Sequence, residues 1–155
     1  MTKEELMRRA IALSEDSVRN GGGPFGAVIS RDGEILAEAS NSVTMDNDPT
    51  AHAEVNAIRK ACSMLKTFDL RGCEIYCSCE PCPMCLGAIY WARLDKIYYS
   101  CNRKDAAEAG FDDDFIYKEI ALRPEDRKKM ISTLLPEEGY MVFRLWKQKD
   151  DKTEY

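Results

Sequence analysis

The 155-residue sequence predicts an α/β protein, a three-layer α/β/α sandwich around a mixed sheet of about five strands. Three features lead there. Apolar residues at helical spacing open the chain, two short β-favouring runs flank a tight turn, and a strand–helix–strand run follows. A tight hairpin makes an antiparallel pair, whereas a strand–helix–strand run makes a parallel pair with a right-handed crossover. Both in one chain imply a mixed sheet covered by helices.

Leu6, Ala10, Leu13 and Val18 recur near helical spacing, so residues from Thr2 or Lys3 to about Arg19 read as an amphipathic helix. Asn20-Gly21-Gly22-Gly23-Pro24 stops it. Phe25 to Ser30 and Glu34 to Ala39 flank Arg31-Asp32-Gly33, a hairpin signature. Asp48-Pro49 reads as a helix start, because Pro fits the first turn, and Ala51 to Leu65 continues it. Glu74 to Ser78 and Lys96 to Cys101 read as buried strands on either side of a helix from about Pro83 to Arg93. Lys104 to Gly110 is a short helix ended by its glycine, and Met130 to Leu135 offers the fifth strand. Pro136 to Gln148 reads as a helix with an apolar face of Val142, Leu145 and Trp146, followed by a charged tail to Tyr155.

At 45% hydrophobic and 32% charged residues, the chain has the composition of a globular protein able to bury a core without disulfides. Residues 1–155 are therefore expected to form one domain. The longest apolar run, Cys85 to Ala92, falls far short of the roughly 20 residues of a membrane span. The first residues carry charges throughout, unlike a signal peptide, so the expected location is cytoplasmic, with no membrane partner. A formal net charge of −5 argues against tight binding to nucleic acid, which rests on Lys and Arg neutralising phosphates. Of seven cysteines, five fall between Cys73 and Cys85, which in a reducing compartment points to a metal or reactive site.

Two segments carry the chemistry: His52-Ala53-Glu54 and Pro81-Cys82-Pro83-Met84-Cys85. Together they match the H-x-E with P-C-x-x-C pattern of zinc deaminases that act on nucleobases. Cys82 and Cys85 stand three apart at a helix start, where both sulfurs share one face and unpaired N–H groups favour thiolates. One His and two Cys make three ligands and leave a fourth tetrahedral position open, as a catalytic zinc requires. His52 and Glu54 would point about 200° apart on a regular helix, so they share a pocket only at a helix tip. The N-termini near His52 and Cys82 are therefore expected to face one zinc per chain. Glu54 would take a proton from water and deliver it to a ring nitrogen and then to the leaving amine. Cys79-x-x-Cys82-x-x-Cys85 contains two overlapping pairs, and Cys79 offers an alternative fourth ligand for a closed structural site.

With these residues in view, the sequence resembles the cytidine/deoxycytidylate deaminase superfamily and, within it, the bacterial guanine deaminases. The broader likeness rests on the hairpin, Asn47 to Cys62 and Ser78 to Arg93; the narrower one rests on Asp105 to Ile120 and Glu154-Tyr155. The resemblance implies a homodimer that hydrolyses guanine to xanthine and ammonia. It implies Phe25 and Trp91 near the base, Asn41 as an amide contact and Ala53 as a backbone contact. It also implies Asp113 as an acid on the substrate side and Tyr155 as an aromatic that helps close the pocket. On that reading the segment of about 136–155 is a lid, with tails exchanged between subunits as one arrangement. The rivals are a tRNA adenosine deaminase, a cytosine or cytidine deaminase and a non-catalytic zinc module. The first would need a basic surface that the charge and the Phe111 to Asp114 run oppose, and the last would have no use for Glu54.

Overall fold

The structure, a computed structural model, describes residues 1–155. The chain forms two compact units, Met1–Tyr117 and Lys118–Tyr155.

In the first unit, helix α1 spans Lys3–Arg19. Thr2 caps it: its hydroxyl accepts from Glu5 N while the Glu5 carboxylate accepts from Thr2 N, a reciprocal pair that satisfies two otherwise orphaned donors. Strands β1 (Gly26–Arg31) and β2 (Glu34–Ser40) form the hairpin. Its two-residue loop places Asp32 at φ 52° and Gly33 at φ 80°, the left-handed pair that matches the twist of the strands. Strand β3 (Glu74–Cys79), helix α4 (Pro83–Trp91) and β4 (Lys96–Cys101) supply the crossover, with α2 (Val43–Asp46) and α3 (Ala53–Leu65) lying earlier in the chain. Helix α5 spans Arg103–Glu108, and α6 (Asp113–Ala121) begins in this unit and ends in the second.

The sheet order is β2-β1-β3-β4, with β1 antiparallel to both neighbours and β3 parallel to β4. Alternation along β1 and β3 builds the layers. Ala27, Ile29, Ile75 and Cys77 pack against the Ala53, Ala57 and Ala61 stripe of α3 and against Ile89. Val28 and Tyr76 turn the other way, onto Leu6 and Ala10 of α1. Helix α1 lies so close to β1 that a Cβ on Gly26 would stand 2.3 Å from the carbonyl oxygen of Ala10.

Several expectations are corrected. The sheet has four strands: residues 130–135 pair with nothing, because Leu135 adopts φ 52° and Pro136 then starts a helix. Strand β4 is an exposed edge rather than a buried strand. Helix α4 stops at Trp91, because Arg93 turns to φ 62°. Helix α3 starts at Ala53 rather than at Asp48-Pro49, because the Asp48 carboxylate accepts from both the N–H and the hydroxyl of Thr50 and makes a turn there.

In the second unit, a 3₁₀ turn at Pro124–Asp126 precedes α7 (Pro136–Gln148), and no residue of α7 is buried. No helix of the chain is long and apolar enough to cross a membrane.

Candidate active site

The late start of α3 makes His52 its N-cap, with extended backbone, and Cys82 is the N-cap of α4 in the same conformation. Two helix N-termini thereby bring together His52, Cys82 and Cys85, whose ligand atoms lie within 4.8 Å of one another. His52 Nδ1 stands 3.5 Å from Cys82 Sγ and 3.4 Å from Cys85 Sγ. A tetrahedral zinc with sulfur bonds near 2.3 Å and nitrogen bonds near 2.0 Å sets such N···S separations at about 3.5 Å, so the cluster fits the ion. Cys79 is outside this group, with its thiol 3.7 Å from the carbonyl oxygen of Asn102, so nothing completes a four-residue site.

The electrostatics agree with a cation site. A hydrogen bond from Cys85 and the neighbouring His52 hold the Cys82 thiol well below its usual range. Cys85 is pushed up correspondingly, since the proton the two sulfurs share stays on it, and burial adds to this. The Cys82 sulfur in turn raises His52. One proton spread over a thiolate–thiol–imidazole set is what a divalent ion displaces.

Glu54, in the first turn of α3, is 6% exposed and its Oε2 accepts from the Cys85 thiol at 3.4 Å. Burial pushes its carboxyl up to about 7, in the range where a group both takes and gives a proton at neutral pH.

A cavity of about 240 Å³ opens on this cluster, lined by Phe25, Asn41, His52, Glu54, Cys82 and Asp113 among others. Six of the sequence-predicted site residues therefore meet in one place. Asp113, at the start of α6, has its carboxyl raised by burial and by the Cys82 sulfur. Phe25 meets Phe111 edge to face at 4.8 Å. Asn41 Oδ1 accepts from Val43 N at 3.1 Å, at the start of α2, which fixes a side chain that lines the cavity. Cys85 and Ala53 are buried in the first turns of their helices.

Trp91 is not brought to the cavity. It ends α4, six residues beyond Cys85, which at 1.5 Å per residue is about 9 Å of helix past that ligand, and it is 64% exposed. Tyr155 belongs to the second unit, where its side chain is exposed. The cavity also gains Glu80, Phe111, Val43 and Thr44, which sequence reasoning did not single out. Glu80 and Phe111 each sit within two residues of a site residue, a signal that proximity in the chain could have given.

The family model described as the cytidine and deoxycytidylate deaminase zinc-binding region matches residues 1–101. The guanine deaminase of Bacillus subtilis (strain 168) is 53% identical over 156 residues, covering 100% of this chain and 100% of that protein. The tRNA-specific adenosine deaminase of Aquifex aeolicus (strain VF5) is 43% identical over 104 residues, covering 67% of this chain and 69% of that protein. The crystal structure of the Bacillus subtilis guanine deaminase superimposes with a TM-score of 0.95 at 52% identity, covering 100% of this chain and 99% of that one. The matched zinc-binding region contains the whole His–Cys–Cys cluster, so each chain provides one zinc site. On its fold, its metal cluster and these likenesses, the chain belongs to the cytidine and deoxycytidylate deaminase family.

Proposed function

We propose that this protein is a zinc-dependent aminohydrolase that converts guanine and water to xanthine and ammonia. The observation that carries the reading is a three-ligand metal cluster and two carboxyl groups, Glu54 and Asp113, meeting in one cavity. The substrate follows from end-to-end likeness to a guanine deaminase.

In this reading His52, Cys82 and Cys85 hold the zinc. The bound ion supplies Lewis acidity that makes water a nucleophile near neutral pH. Glu54 accepts the proton released as the water oxygen bonds to C2 of guanine, and passes it to the adjacent ring nitrogen. As the C2–N bond breaks, the same carboxylate takes the second proton from the new C2 hydroxyl, which becomes the carbonyl, and hands it to the amine, which leaves as ammonia. Phe25 gives the base a π-face, and Asn41 donates to an acceptor on its edge. The backbone N–H of Ala53, one of the donors a helix start leaves unpaired, would serve as the backbone contact beside the zinc. Asp113 accepts from the donor edge of guanine or relays a proton.

The same reading makes residues 1–155 one catalytic domain that works in the cytoplasm as a homodimer. Met130 is 95% exposed, and Leu134, Val142 and Leu145 are more than half exposed, an apolar surface that a second copy would cover. Segment 136–155, with Tyr155, then serves as the lid, supplied in cis or exchanged between subunits. Trp91 reaches a base only across a subunit interface.

Ammonia release from guanine, adenine, cytosine, their nucleosides and a tRNA anticodon stem-loop, measured side by side, tests the reading. Guanine should be the best substrate and the stem-loop inert. Deamination of the stem-loop without action on guanine would assign the protein to the tRNA enzymes instead.

A further inference from the structure

Beside the cavity lies a polar cluster with no part in the chemistry above. Glu80, the last residue before the Pro81-Cys82 step, lines the cavity with a side chain only 16% exposed. Its carboxylate is held at both oxygens by one residue: Oε2 accepts from the backbone N–H of Arg103 at 2.8 Å, and Oε1 faces Arg103 Nε at 3.3 Å. The guanidinium of Arg103 then lies 3.9 Å from the ring centroid of Tyr117. Tyr117 completes the circuit, its hydroxyl donating to the carbonyl oxygen of Pro81 at 2.6 Å.

The circuit ties together three pieces of chain: the loop that delivers Cys82, the start of α5, and α6. Its last member matters most. Tyr117 stands four residues after Asp113 on α6, so the two side chains project from the same face of the helix. Short hydrogen bonds and a stacked guanidinium fix an angle and a depth as well as a distance. The hydroxyl of Tyr117 therefore pins α6 to the peptide that precedes a metal ligand, and Asp113 comes with it.

We propose that Tyr117, gripped by Arg103 and Glu80, is a positioning residue that sets Asp113 against the metal pocket. This rests on the reading of Asp113 as a group that contacts guanine. A carboxylate that must meet a substrate edge loses rate steeply when displaced, and a shift of about 1 Å is enough to cost two orders of magnitude.

The test uses the zinc-loaded, full-length protein and two substitutions, Tyr117→Phe and Asp113→Asn. Tyr117→Phe keeps the ring under Arg103 and removes only the hydroxyl. It should lower kcat on guanine about tenfold, with KM changed less than twofold, and with zinc content and melting temperature unchanged. In an Asp113→Asn background the same change should alter kcat less than twofold, because the group being positioned is already gone. Arg103→Gln, a second route to the same loss, should reproduce the Tyr117→Phe effect without adding to it. Full activity of Tyr117→Phe, losses that multiply with Asp113→Asn, or loss of zinc in Tyr117→Phe would each overturn the proposal. Wild-type activity of Asp113→Asn alone would instead remove the reading of Asp113 on which it rests.

Discussion

Glu54→Gln separates proton transfer from everything else the site does. The substitution keeps the side chain's length and volume, and it replaces a carboxyl that is 6% exposed with a neutral amide. Because burial already pushes that carboxyl up to about 7, the amide is no costlier to bury, and the fold should hold with an unchanged or slightly raised melting temperature. Glu54 meets the metal cluster only through the Cys85 thiol at 3.4 Å and is not one of the three ligands, so zinc content should also hold. The rate is different. One general acid–base group is worth about 10²- to 10⁴-fold. Here a single carboxyl serves two successive transfers, so the loss in kcat should sit near the upper end, about 5 kcal/mol in the barrier. The assay is steady-state xanthine formation at saturating guanine, with zinc measured on the same sample. A zinc-loaded Glu54→Gln enzyme turning over within tenfold of wild type would refute the proton-transfer role.

Other outcomes follow from the same structure. His52→Ala, Cys82→Ala and Cys85→Ala should each lose the zinc together with activity, while Cys62→Ala, Cys73→Ala, Cys79→Ala and Cys101→Ala should keep it; elemental analysis decides. Arg9 donates to both carboxylate oxygens of Glu38, at 2.7 and 2.5 Å, and holds that carboxyl below its usual range. A lowered folded value means the contribution is present above the unfolded value near 4.5 and disappears as pH falls through the folded one. Arg9→Ala should therefore cost about 0.5–1 kcal/mol in urea unfolding at pH 7, a modest figure because the pair is partly exposed, and progressively less as the pH is lowered through the acid range. Ile29→Ala, at a fully buried position on a central strand, should cost about 2–5 kcal/mol in the same measurement. Gly26→Ala should also destabilise, since its Cβ would meet the backbone of α1 at 2.3 Å.

The residues differ in how far their roles could be read from sequence. His52 and Glu54 were legible because their two-residue spacing excludes a regular helix pointing both at one ion, which leaves a helix tip, and His52 is an N-cap. The Asp32-Gly33 turn was legible because few residue pairs adopt two consecutive left-handed conformations. The start of α3 was not, because Asp48-Pro49 supports either a first helical turn or a side-chain-capped loop, and the hydroxyl of Thr50 decides between them. Residues 130–135 look like a strand by composition, but a strand also needs an edge to pair with, and composition does not supply one. Trp91 was not placed by the motif alone: in a single chain it stands at the far end of the helix that the same motif begins, outside the cavity lining. Tyr117 was invisible for a related reason, since its partners come together only in three dimensions.

The most direct test of the account is a zinc titration of metal-stripped protein, with xanthine formed from guanine as the readout. A single His–Cys–Cys cluster per chain predicts no activity without metal, a rate that rises in proportion to bound zinc, and a sharp plateau at one ion per chain. Xanthine production by the metal-free protein, a plateau at any other stoichiometry, or a fully zinc-loaded protein inert toward guanine would contradict it.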